Sequence, residues 1–340
     1  MSFSNEEKSF YARQMRVPMV GEAGQEKLKN SKVVIVGAGG LGHPAATYLA
    51  AAGVGELVIV DADNVEISNL HRQVLFSPEH QGLSKAQVVA QRLRQQNPWI
   101  KVQAMHERVT ANNVESILRG AQVVVDGTDN FNTKFLLHDT CFFKHIDLVM
   151  ASVSQLDGRL NVFPFSQYGV SPFPCLRCLY PKPPQDGCVG TCQQNGVLGI
   201  LPGIFGLFEA NEVIKLILGA SQTDGATSLT FDLMGFETGQ FKWRKLDTCC
   251  LCGTRPSIIS SNDSLKHSWV IEHERCLTEN FVIIDIRNEP VSDTLFMDRR
   301  RYALLCTSGI RAYKMASELR AKGFNNIFVV RGGENACHGL

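Results

Sequence analysis

The residues best suited to chemistry begin at Val33-Val-Ile-Val-Gly-Ala-Gly-Gly-Leu-Gly42, where a β-branched run enters a glycine-rich turn. Gly37, Gly39 and Gly42 have the G-x-G-x-x-G spacing that lets backbone amides approach phosphate oxygens at a helix N-terminus. By itself this turn suits a nicotinamide or flavin enzyme. Its continuation changes the reading. Leu57-Val-Ile-Val-Asp-Ala-Asp63 puts Asp61 at the end of a second apolar strand, where an acid can hold a ribose hydroxyl. Asp63 is the alternative, and the strand-end position favours Asp61. Asn69 and Arg72 follow in a polar run, with Lys85 a little beyond. A dinucleotide site holds its pyrophosphate with amides alone, whereas cations clustered around a phosphate-binding turn suit triphosphate chemistry.

A second constellation is made of thiols. Cys175-Leu-Arg-Cys178 and Cys249-Cys-Leu-Cys252 are two C-x-x-C pairs far apart in the chain. Four thiolates so spaced make a closed, tetrahedral structural zinc site, expected to pin the distal loop to the C-terminal end of the domain. Cys250 also stands near Cys252, and Cys249 is preferred because it keeps the two-residue spacing.

Short β-branched runs and helical patterns alternate around these residues. Strands are expected at Lys32–Val36, Leu57–Val60, Val102–His106, Gln122–Val125 and Asp147–Ala151. Helices are expected near Leu41–Ala52, Ser84–Gln96, Ala111–Leu118 and Asn130–Lys144, after a first helix that Ser4 and Glu7 cap and that runs through Met15. This rhythm predicts an α/β fold, a Rossmann-like, mainly parallel sheet with helices on both faces. Further strands at Arg159–Phe163, Ser228–Asp232 and Phe241–Leu246, a Pro-, Cys- and Gly-rich loop at Ser171–Gly196 and a long helix at Gly203–Leu218 complete the domain.

Composition removes other classes. The chain has 340 residues, 34 basic and 33 acidic side chains and a net charge of +1, so no basic surface points to nucleic acid. Apolar runs such as Val33–Val36 and Ile200–Leu207 are too short or too broken to span a bilayer, and the N-terminus lacks the pattern of a signal peptide. Eleven cysteines without an export signal read as metal ligands and reactive thiols, and the expected location is cytoplasmic.

From about Tyr11 to Gly253 these motifs resemble the ThiF/MoeB family, bacterial relatives of ubiquitin-activating E1 enzymes. The resemblance implies an adenylyltransferase using ATP and Mg²⁺: a carboxylate attacks the α-phosphate, giving an acyl-adenylate and pyrophosphate. It implies that Gly39, Gly40, Gly42, Asp61, Asn69, Arg72, Lys85, Asp129 and Asn130 bind the nucleotide. Asp129, in Asp126-Gly-Thr-Asp-Asn130, matches the family's magnesium-binding acid, with Asp126 a turn residue beside it. Arg13, in Tyr11-Ala-Arg-Gln14, matches an arginine that family members insert into the partner subunit's ATP site, which implies a homodimer. Cys192, in a glycine-rich stretch, matches the crossover-loop cysteine that links covalently to the carrier in some relatives, and Cys188 stands close enough to act as a resolving thiol.

Beyond Cys252-Gly-Thr-Arg-Pro256 a linker is expected at 257–263 and a smaller α/β domain at 264–340. Phe281-Val-Ile-Ile-Asp-Ile-Arg287, Tyr302-Ala-Leu-Leu-Cys306 and Val329-Val-Arg-Gly-Gly333 resemble parts of a rhodanese-like sulfurtransferase domain, with Cys306 at the active loop and Arg311 nearby. Only Asn288–Arg301 separates the first two segments, so the domain is abbreviated. The implied function is adenylation of the C-terminal glycine of a ubiquitin-like sulfur-carrier protein ending in Gly-Gly, then sulfur transfer to a thiocarboxylate. The Cys306 persulfide or a cysteine desulfurase is the expected sulfur source. The alternative is adenylation of a peptide or small-molecule carboxylate without sulfur transfer.

Overall fold

The computed structural model describes residues 3–166, 173–183, 196–223, 225, 227–261, 270–271, 276, 280–287, 296, 300–307, 310–324 and 326–330. They form two compact units that divide near residue 264.

The first unit is built on β1 (Lys32–Val36), β2 (Glu56–Val60), β3 (Lys101–Met105), β4 (Val123–Asp126), β5 (Asp147–Ser154), β6 (Asp157–Phe163), β7 (Thr227–Asp232) and β8 (Glu237–Lys242). They form one sheet in the order β3-β2-β1-β4-β5-β6-β7-β8. The pairs from β3 through β5 are parallel, and those from β5 through β8 antiparallel. Val33, Val34, Ile35, Leu57, Ile59, Val123, Val124 and Val125 are all buried, the pattern of strands covered on both faces. Because β1 lies between β2 and β4, successive connections leave it in opposite directions. A crevice opens at the carboxyl ends of β1 and β4, where α/β sheets bind ligands.

The helices are α1 (Asn5–Met15), α2 (Gly21–Lys29), α3 (Gly42–Ala52), α4 (Lys85–Gln96), α5 (Val114–Ile117), α6 (Phe131–Lys144), α7 (Leu176–Leu179) and α8 (Ile200–Leu218). The expected capping box closes α1: Ser4 Oγ accepts the Glu7 N–H at 3.1 Å, and Glu7 accepts the Ser4 N–H at 2.9 Å. α8 packs on α3, β5 and β6; Gly158 leaves room for the Phe205 ring, which a Cβ there would meet at 1.9 Å. No helix among the described residues is long and apolar enough to cross a membrane.

Two expectations are corrected, and one helix is added. The last strand is Glu237–Lys242 rather than Phe241–Leu246, because pairing begins right after a tight turn, with Asp232 opposite Glu237. The helix expected at Ala111–Leu118 is a single turn, Val114–Ile117, since Asn113 Oδ1 accepts the Thr110 N–H at 2.7 Å and holds the preceding residues in a turn. The short, polar α2 was not anticipated; buried Gln25 donates to Ala52 O at 2.8 Å and ties it to the end of α3.

In the second unit β9 (Val270–Ile271), β10 (Val282–Asp285), β11 (Tyr302–Leu305) and β12 (Ile327–Val330) pair in parallel in the order β10-β11-β12-β9. α9 (Ile310–Ala321) connects β11 to β12, and Phe296, Tyr302, Leu304, Ala312, Ala316 and Ile327 form the core.

Candidate functional site

The glycine turn closes on itself and on the strand beside it. Gly37 has φ +92°, and a Cβ there would stand 2.7 Å from Gly127 O. A Cβ on Gly42 would overlap Gly37 O at 1.7 Å. Gly42 is therefore required for closure of the turn, and Gly39, Gly40 and Leu41 are the turn residues that line the crevice.

Each neighbouring element delivers one group to the same cavity of about 410 Å³, whose lining includes Gly39, Gly40, Asp61, Asn69, Arg72, Lys85, Asp129 and Asn130. At the end of β2, Asp61 Oδ2 accepts the Ala38 N–H and Oδ1 the Asp63 N–H, both at 2.7 Å. Asp61 thus fixes the first residue after Gly37. Burial raises its carboxyl above the usual carboxylate range, and the two amides act against that rise. Asp63 faces Lys85 instead, with Nζ to Oδ2 at 3.1 Å; the lysine side chain is 8% exposed and the aspartate 62%. A nearly buried cation with an exposed, replaceable partner is well placed to turn to phosphate.

The segment after β2 folds into 3₁₀ turns. Asn69 Oδ1 accepts from Arg72 at 3.2 Å and from Gln73 Nε2 at 3.1 Å, which aligns the guanidinium and the amide beside the turn. After β4, buried Asp126 Oδ1 accepts both the Thr128 N–H (3.0 Å) and its hydroxyl (2.6 Å). This Asx turn presents Asp129, which is exposed and has no hydrogen bond or ion pair among the described residues. A free carboxylate opposite amides and cations suits Mg²⁺, which keeps waters and phosphate oxygens beside one or two protein oxygens. Asn130 Oδ1 accepts the Thr133 N–H at 2.8 Å and so caps α6. Arg13 is exposed on α1 and does not line the cavity.

Sequence reasoning missed several contributors. Gln73, Glu107, Arg108, Val153, Val197 and Pro202 also line the cavity, and no short motif marks them. His43, buried in the first turn of α3, donates from Nδ1 to Gly39 O at 2.6 Å and accepts the Val74 N–H at Nε2 (3.2 Å). It links the glycine turn to the segment carrying Asn69 and Arg72. Burial pulls its pKa down to about 4, against the Gly39 bond, so the ring is neutral.

The four cysteines converge. Cys175 and Cys249 sulfurs are 3.6 Å apart, those of Cys178 and Cys252 3.3 Å, and all four lie within 4.8 Å of one another. Tetrahedral zinc with Zn–S of about 2.3 Å needs sulfurs about 3.8 Å apart, so the donor set and spacing fit that ion. Burial and the other three thiols push Cys175 upward, a crowding that a dication relieves. Cys250 Sγ turns away to Pro181 O at 3.5 Å. Behind the cluster, Arg177 binds Asp139 through Nε and a terminal nitrogen, the shortest contact 2.6 Å, while His138 Nε2 accepts the Leu176 N–H at 3.0 Å. Trp243 Nε1 donates to Cys175 O at 3.2 Å, so the segment past β8 also braces the loop.

Cys306 belongs to the second unit. It is buried at the end of β11, and its Sγ accepts the Ala312 N–H at 3.4 Å. Arg287 pairs with Asp285, its terminal nitrogen 2.5 Å from Oδ2. Cys188, Cys192 and the Gly332–Gly333 end of the sequence lie outside the described residues.

This geometry has relatives. A sulfur carrier protein adenylyltransferase of Thermus thermophilus is 42% identical over 257 residues, spanning 76% of this chain and 95% of that one. The Aedes aegypti adenylyltransferase and sulfurtransferase MOCS3 is 40% identical over 301 residues, 84% of this chain and 68% of its own. Among solved structures, E. coli MccB with MccA-N7isoASN superposes with a TM-score of 0.63 at 21% identity, over 74% of this chain and 76% of that one, which speaks for the fold alone. Residues 11–252, the whole of the large sheet with its crevice and cysteine cluster, match the ThiF family, and to that family the chain belongs.

Proposed function

We infer that the protein adenylates the C-terminal glycine of a ubiquitin-like sulfur-carrier protein with ATP and then directs formation of a thiocarboxylate. The observation that carries this reading is the convergence of the glycine turn, Arg72, Lys85 and an unpaired Asp129 on one cavity, in a chain similar to a sulfur carrier protein adenylyltransferase. A carboxylate oxygen of the carrier attacks the α-phosphorus, the bond to the bridging oxygen breaks, and pyrophosphate leaves with its electron pair. The nucleophile is already ionised, so no proton moves and the residues act by orientation and charge neutralisation. Amides of the turn and the Arg72 and Lys85 cations hold the triphosphate; Lys85 exchanges its exposed Asp63 partner for phosphate. Asp61 holds the ribose, and Asn69 joins Arg72 and Lys85 at the triphosphate. Asp129 would hold Mg²⁺, which supplies further neutralisation of triphosphate charge.

Arg13, exposed and away from its own cavity, completes the site of a second copy in a homodimer. Zinc held by Cys175, Cys178, Cys249 and Cys252 braces the domain, taken as 1–256. Residues 264–340, after a linker at 257–263, serve as an abbreviated rhodanese-like domain, and the sulfur comes from a Cys306 persulfide or from a separate cysteine desulfurase. Cys192 acts between adenylate and thiocarboxylate. The setting is cytoplasmic.

Intact-mass measurement of Gly-Gly-terminated carriers incubated with the protein, ATP and Mg²⁺ tests this. The expected result is a mass increase by one AMP on a single carrier. A carrier panel left unmodified while a peptide or small carboxylate gains AMP would replace the acceptor.

A further inference from the structure

One buried cation in the first unit has no part in the mechanism above. Lys134 lies one turn into α6, 7% exposed, with Nζ 2.7 Å from Ala151 O and 3.4 Å from Asp126 Oδ2. The reason for a side chain at that spot is topological. β4 stops at Asp126, opposite Met150, so the next residue of β5, Ala151, has backbone groups with no β4 partner. Its N–H donates to Glu209 Oε1 at 3.0 Å, and its C=O takes Lys134. A neutral amide could have served that carbonyl. A buried ammonium is costly unless a carboxylate faces it, which points to Asp126 as the group its charge serves.

Glu209 also feels that charge, which acts to lower its carboxyl against the larger, opposite effect of burial. It is fully buried on α8, Oε2 has no hydrogen-bond partner among the described residues, and burial raises its carboxyl well above the usual range, which favours its neutral form. Asp126 therefore stands between Lys134 on one oxygen and the Thr128 N–H and hydroxyl on the other. The next residue is Asp129.

We propose that Lys134 is a positioning residue for the adenylation site: by pairing with Asp126 it fixes the Gly127–Asn130 turn and so the placement of the Asp129 carboxylate. This rests on the functional reading above, in which Asp129 meets Mg²⁺. It assigns to α6 a direct role in presenting a ligand whose own side chain no group among the described residues holds.

The test is ATP binding by the full chain, measured calorimetrically with and without Mg²⁺, a readout that needs no carrier. Lys134→Met is expected to keep metal-free ATP affinity within about twofold but to lose about tenfold of the gain that Mg²⁺ confers, the scale of a lost outer contact to a metal ligand. Lys134→Arg is expected to restore that gain, because it restores the cation. A merely structural lysine would lower thermal stability and leave the gain untouched. If Lys134→Met does not fold, Asp126→Asn, which keeps the acceptor for Thr128 and removes the charge, is expected to show a smaller loss of the same kind. A folded Lys134→Met or Asp126→Asn protein with the full gain, beside an Asp129→Ala protein that has lost it, overturns the positioning role alone. An Asp129→Ala protein that keeps the gain overturns the role of Asp129 and the inference with it.

Discussion

Acidification should weaken the first unit through His43. The ring is buried and accepts the Val74 N–H at Nε2, so a proton there would lose water and face another donor. Its pKa falls from 6.5 to about 4, with burial the largest cause. A base with a depressed folded pKa gives stability that is complete above the unfolded value and is lost as pH falls from 6.5 towards 4. Between pH 7 and pH 5 the unfolded imidazole takes up about three-quarters of a proton and the folded one little, a loss of about 2 kcal/mol. Glu209 and Asp61 act in the opposite direction, since raised carboxyl pKa values favour the folded state as pH falls. The assay must therefore be a difference. Urea unfolding of the wild type and His43→Gln, followed by circular dichroism at both pH values, cancels those groups and any acid release of metal. The wild type is expected to lose about 2 kcal/mol more than the variant. Equal losses in the two proteins would refute the neutral, buried imidazole and its link between the glycine turn and the Asn69–Arg72 segment.

Three further outcomes follow from the same geometry. Gly42→Ala must open the turn to clear Gly37 O, and calorimetry is expected to show ATP affinity down by more than about tenfold, one lost phosphate contact. A chelator strong enough to strip zinc is expected to expose the four cluster thiols to a thiol reagent and to lower the melting temperature, with zinc alone reversing both changes. Arg13→Ala and Lys85→Met proteins are each expected to be inactive, and mixing them after subunit exchange to restore about a quarter of wild-type adenylation, the share of sites with both residues intact in a dimer. A mixture as inactive as its parts would place Arg13 outside the partner's site.

The parallel half of the sheet was legible because Lys32–Val36, Leu57–Val60 and Gln122–Val125 are β-branched runs ended by turn residues, and these strands are buried on both faces. The exposed β8 has no such signal: Phe241 and Trp243 drew the expected strand too late, whereas pairing with β7 fixes it. α2 escaped because Gly-Glu-Ala-Gly-Gln-Glu-Lys-Leu-Lys offers one large apolar residue, and its place is set by Gln25 bonding across to α3. The charged and glycine positions of the cavity were readable because they sit in short motifs at strand ends. His43, Gln73 and Lys134 were not, since each acts on backbone or side chains distant in sequence and looks like an ordinary helix or loop residue until the elements are packed. Choosing Cys249 over Cys250 needed only the two-residue spacing, and the sulfur positions agree with it.

The central claim is that this cavity activates a carrier's carboxylate on ATP. ATP–pyrophosphate exchange with Mg²⁺, run against Gly-Gly-terminated carrier proteins from the same cell, tests it most directly. The account predicts exchange that depends on one carrier and disappears in Asp129→Ala. Exchange that survives Asp129→Ala, or ATP binding with no exchange for any carrier, would contradict it.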